Sequence, residues 1–131
     1  MNLQQLVDRV FAQAAKKQKS YVGKTYECRY RGDGGNMCFV GACISDAAYV
    51  PSIEGKPVEM LLQYEPHILP IDETDPRMRR ACVAWLVDAQ RVHDRCQLHE
   101  WDEALREHLH GIVRRFDVDV KEPPAVDEGG A

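Results

Sequence analysis

The chain has 131 residues, 44% of them apolar and 29% charged, with a formal net charge of -4 and a pI near 5.7. That size and make-up fit one domain with a real core. The acidic balance disfavours duplex nucleic acid as a partner, because affinity for phosphates rests on clustered cations. No apolar run approaches the roughly 20 residues needed to cross a bilayer, so no membrane partner is expected. The opening Met1-Asn-Leu-Gln-Gln-Leu-Val7 lacks the charged and apolar regions of a secretory signal. Five cysteines, an odd number, then read as reduced thiols in a cytoplasm.

Leu3, Leu6, Val7, Val10, Phe11 and Ala14 recur at helical spacing. Asn2 with Gln5 resembles a capping box, and a helix is expected from about residue 3 to residue 18. The most informative stretch follows, Cys28-Arg-Tyr-Arg-Gly-Asp-Gly-Gly-Asn-Met-Cys-Phe-Val-Gly-Ala-Cys-Ile44. Tyr26–Tyr30 and the apolar, β-prone Met37–Ile44 flank Gly32-Asp-Gly-Gly35, which reads as a β-hairpin. Gly41 inside the second arm suggests a bulge or a close backbone approach. A helical turn is expected at 45–49, capped by Ser45 or Asp46 and ended by Pro51. A short helix follows Gly55, with Pro57 in its first turn and Val58, Leu61 and Leu62 buried. Residues 64–74 read as an irregular connection.

Asp75-Pro76 starts a helix, an aspartate cap followed by proline at the first helical position. Met78, Cys82, Trp85, Ala89, Val92 and Cys96 form one apolar stripe. Leu98, Trp101, Leu105, Leu109, Ile112 and Phe116 form a second. Neither Gly nor Pro separates them, yet one long helix would leave both stripes without an internal partner. An αα-hairpin broken near 96–99 is therefore expected. The fold class expected from the whole pattern is α+β: one β-hairpin packed on three main helices, the N-terminal helix and the C-terminal αα-hairpin. Met37, Phe39 and Ile44 should meet Leu6, Val10 and Trp85. Residues 1–116 read as one domain, and 117–131 as an acidic, disordered tail.

Charge is segregated. Residues 1–31 carry seven Lys/Arg against two acids, and 32–75 eight acids against Lys56. Residues 76–116 carry eight arginines against six acids, and 117–131 five acids against Lys121. Complete chemical signatures are missing. Cys28, Cys38 and Cys43 lack the paired spacing of a zinc site, and His67 or His93 would have to be recruited from afar. Glu107-His108-Leu109-His110 supplies one Glu-x-x-His pair where a di-iron site needs two. His93-Asp94 could orient a thiol such as Cys28 or Cys38 as a nucleophile, or simply tie a helix to a loop. The glycine-rich segment lacks the ending of a phosphate loop. Arg29 and Arg31 could still clamp an anion, with Tyr26, Tyr30 and Tyr49 stacking on a ring.

Cys28-x-Tyr30-Arg31-Gly32, Cys38-x-x-Gly41-x-x-Ile44, Tyr49-x-Pro51, Glu54-Gly55, Gln90-x-x-His93-Asp94 and Trp101-x-x-x-Leu105 form a pattern over about residues 20–116. It resembles that of small, mostly uncharacterised proteins of bacteriophages and bacteria. That family has no assigned activity, so the resemblance carries over no catalytic residue. It implies a compact accessory protein, often phage-borne, that modulates a host or defence system. The leading expectation is a non-enzymatic, phage-associated protein that binds and inhibits a host or defence-system protein, in the host cytoplasm if phage-encoded. Glu54, Glu59, Glu65, Asp72, Glu73 and Asp75 are its expected partner-binding residues. The alternative is a binder of a nucleotide-like anion through Arg29, Arg31, Tyr26, Tyr30, Tyr49, His93 and Asp94. A Cys/His hydrolase stands third. No cofactor is expected.

Overall fold

Helix α1, Leu3–Ala15, starts at a reciprocal cap: Gln5 N donates to Asn2 Oδ1 and Asn2 N donates to Gln5 Oε1, both at 2.9 Å. The computed structural model describes residues 1–19, 29–116 and 118. Leu3, Leu6, Val7, Val10 and Ala14 form the buried stripe of α1. The helix stops short of residue 18, where Lys17 enters the left-handed region at φ 54°.

Three further helices follow: α2, Val58–Tyr64, α3, Pro76–Arg95, and α4, Trp101–Phe116. Pro57 caps α2. Asp75 caps α3, accepting from Arg77 N at 2.9 Å, with Pro76 in the first turn. Cys96 ends α3 in extended backbone. Gln97 and Glu100 then make a second reciprocal cap that restarts the chain as α4. The αα-hairpin is antiparallel, and His108 Nδ1 stands 3.7 Å from Asp88 Oδ2 across it. Among the described residues no helix is long and apolar enough to cross a membrane.

The expected α+β class is corrected by this arrangement, because the described residues are mainly helical and form no sheet. Among the described residues the β contact is a single antiparallel bridge, Arg31 with Met37. Most of the expected first arm, 26–28, lies outside the described residues. The expected second arm turns into a 3-10 turn at Gly41–Cys43. A half-buried strand shows alternate residues to the core. Here Cys38, Phe39, Val40 and Gly41 are buried consecutively, which a turn wrapped by helices satisfies and a two-faced strand does not. Ala42 N donates to Cys38 O at 3.0 Å and Cys43 N to Val40 O at 2.9 Å, so backbone groups pair locally. Gly41 makes the close approach its type suggested: a Cβ there would stand 2.0 Å from the Tyr30 carbonyl oxygen.

The core centres on Trp85, Trp101 and Phe39, all fully buried. Phe39 meets Trp101 edge-on at 4.7 Å, and Phe11 stacks on Trp85 at 6.1 Å. Cys82 lies in this core, whereas Cys96 is half-buried at the end of α3. The tail expected over 117–131 lies outside the described residues, apart from Val118, which is buried.

Candidate functional site

Glu54 stands in the tight turn between the Pro51–Ile53 3-10 turn and Gly55, which takes φ 80°. Its carboxylate accepts from Tyr30 N at 2.8 Å, Arg31 N at 3.1 Å and the Tyr49 hydroxyl at 2.7 Å. The Arg31 guanidinium lies over the Tyr49 ring at 4.9 Å, donates to Ile44 O at 2.8 Å and pairs with Asp46. The Tyr30 hydroxyl donates to Lys56 O. Burial, reinforced by Cys38 and the Glu54, Glu59 and Asp94 carboxylates, pushes the Tyr30 phenol well above its ordinary range. Tyr49 is raised by burial and then by its bond to Glu54. The expected anion clamp is thus turned on itself, with Arg31, Tyr30 and Tyr49 spent on chain-internal contacts. Arg29 is half-buried and also engaged, and Tyr26 lies outside the described residues.

His93 is fully buried between Phe39, edge-on at 5.1 Å, and Trp101, stacked at 5.3 Å. Its Nδ1 is 3.0 Å from Asp94 Oδ1, which also accepts from Gln90 Nε2 at 3.2 Å. Neither His93 Nε2 nor Trp101 Nε1 has a hydrogen-bond partner among the described residues. Cys38 is adjacent in sequence to His93's ring neighbour, yet its Sγ accepts from Gly41 N at 3.2 Å and not from the imidazole. Burial lifts that thiol far above the usual cysteine range, outweighing the backbone donors that lower it. A nucleophilic cysteine needs the reverse, a thiolate favoured near neutral pH. Cys28, the other thiol considered for a nucleophile, lies outside the described residues. Among the described residues no three His, Cys, Asp or Glu side chains gather as a metal site would require.

The six expected partner-binding acids are scattered in role. Besides Glu54, Glu65 pairs with Lys56 at 3.1 Å. Asp72 holds the Met1 ammonium at 2.7 Å, and Glu73 accepts from Leu3 N at 3.3 Å. Asp75 is the α3 cap. Glu59 stands out, exposed on α2 beside exposed Gln63.

That helix carries what the sequence reading missed. Val58 and Leu61 are buried and Leu62 half-buried, which turns Met60 and Tyr64, one turn apart, to the opposite side. Met60 is 46% and Tyr64 68% exposed. The signal was present, because the spacing of Val58, Leu61 and Leu62 fixes one inner face and leaves two large apolar side chains off it. An open groove of about 530 Å³ lined by Lys19, Gln97, Leu98 and His99 includes none of the expected ligand residues. No protein-family model matches the chain, and no curated protein or solved structure matches it.

Proposed function

We propose that this chain is a non-enzymatic interaction protein that docks on a partner protein through the outer face of α2 and modulates, by inhibition, a host or defence-system protein. The setting is the bacterial cytoplasm, and the phage association follows the sequence resemblance. The observation that carries the reading is the Met60–Tyr64 pair, two large side chains left in water one turn apart. Tyrosine and methionine are enriched where interfaces bury their cores. Exposed Glu59 beside them, in the acidic segment 32–75, sets the sign of the rim and suits a basic surround on the partner. The inward use of Arg31, Tyr30, Tyr49 and Cys38 supports binding over catalysis or anion capture.

The experiment is a capture comparison. Immobilised protein should retain one stoichiometric host protein, and a Met60→Ser, Tyr64→Ala variant of unchanged melting temperature should lose it. Exposed positions cost little stability when changed, so the variant should fold. Capture that survives the double substitution, or no stoichiometric capture, overturns the reading.

A further inference from the structure

The α3–α4 hairpin has an unbalanced end. Counting outward from Asp88 opposite His108, Arg80 and Ala81 come level with Phe116 and Arg115. The start of α3 and the end of α4 therefore lie side by side. Residues 76–87 hold Arg77, Arg79 and Arg80 and no acid; residues 108–116 hold Arg114 and Arg115 and no acid. All five arginines are exposed. Arg79 donates to Ile71 O at 3.3 Å. Arg77, Arg80, Arg114 and Arg115 have no side-chain ion pair among the described residues, where the paired arginines are Arg31, Arg91 and Arg106. The acids of the preceding loop make their contacts elsewhere than with these guanidinium groups. Asp72 is held by the Met1 ammonium, Glu73 by Leu3 N and Asp75 by Arg77 N.

Helix stability does not account for this. Arginines at the C-terminal end of α4 complement its dipole, but those in the first turn of α3 stand at the positive end, where acids are favoured. Like charges therefore meet where α3 begins and α4 ends, three of them at the unfavourable end of α3, and no described carboxylate forms an ion pair with Arg77, Arg80, Arg114 or Arg115. We infer that the arginine end of the α3–α4 hairpin docks a carboxylate-rich segment of a partner protein, on a surface separate from α2. Guanidinium forks match carboxylates two bonds at a time. A phosphate polymer fits less well. The exposed large apolar side chains among the described residues are Val50, Met60, Tyr64 and Leu98, and none lies at this end to stack a base. A chain of net charge -4 with a few clustered arginines also releases few counterions.

Fluorescence anisotropy with a labelled oligoglutamate peptide, the full chain and physiological salt tests the inference. Binding should weaken about tenfold or more in Arg77→Glu, Arg80→Glu, whose melting temperature should hold or rise because acids replace cations at the α3 start. Arg114→Gln, Arg115→Gln should weaken binding as well, and carries the test should the first pair misfold. Arg91→Glu, Arg95→Glu, at the other end of α3, should bind as the parent does. Three outcomes would each overturn the inference: no binding to the parent, equal weakening by the Arg91/Arg95 pair, or tighter binding of a labelled oligothymidine than of the peptide.

Discussion

A single carboxylate ties Tyr30 and Arg31 to the segment before α2. Glu54 holds two backbone N–H groups, of Tyr30 and Arg31, and one phenol. A hydrogen bond to a charged group contributes more than a neutral one, and an orphaned part-buried donor costs about 1–3 kcal/mol. Glu54→Ala should therefore lower unfolding free energy by about 3 kcal/mol in urea titration. Glu54→Gln should lose less, since its remaining carbonyl keeps one acceptor in place. A change within a few tenths of a kcal/mol would mean that the turn is held by packing alone. Glu54 also marks the limit of reading residues one at a time. Its sequence neighbourhood does not reveal its role: the two backbone donors sit 23 and 24 positions away and are assigned by the fold. Met60 and Tyr64, by contrast, were derivable from local spacing alone.

Among the elements, the helix ends were written locally. The Asn2–Gln5 box, the Asp75-Pro76 start and the Gln97–Glu100 restart each need only neighbouring side chains to act. The last also supplies the break between the two apolar stripes that no Gly or Pro marks. The Gly32–Ile44 region misleads for a physical reason. Its turn glycines and β-prone residues suit a hairpin locally, but four consecutive buried residues need core on every side, and only the surrounding helices decide that. Gly41 is where this packing is least forgiving. With the Tyr30 carbonyl oxygen 2.0 Å from any added Cβ, Gly41→Ala must move backbone against backbone. A loss of more than about 3 kcal/mol is expected, read as a large drop in melting temperature. Gly111→Ala, with nothing within 4 Å of its Cβ position, should hold or raise stability by up to about 1 kcal/mol as a helix-favouring change.

Taken whole, the molecule stores its pH response in buried acids of high pKa. Burial lifts the Cys43 thiol from its ordinary 9.0 to about 12 and the Cys82 thiol to about 11. Between those limits the unfolded chain has released protons that the native chain still binds. The unfolded state then holds fewer protons, so stability falls as pH rises. This contribution is complete below about pH 8.5 and erodes above about 9, by about 1.4 kcal/mol per pH unit for each thiol. Denaturant midpoints should therefore drop steeply between about pH 9 and 11, and Cys43→Ala should flatten that slope. A flat profile across the same interval would show that these thiols ionise in place.

Cys38 and Cys43 belong to the segment that ends in the Gly41–Cys43 turn, and Cys82 to α3, yet all three sulfurs share one interior. An alkylating reagent reaches them only while the interior is open, so the speed of labelling counts opening events instead of thiol chemistry. Because Phe39 is locked against His93 and Trp101, the turn is not free to swing out by itself. Mass spectrometry after short iodoacetamide pulses should then find the three sites tagged together. Early tagging of Cys38 and Cys43 ahead of Cys82 would reveal the turn as a hatch that lifts while the helices stay shut.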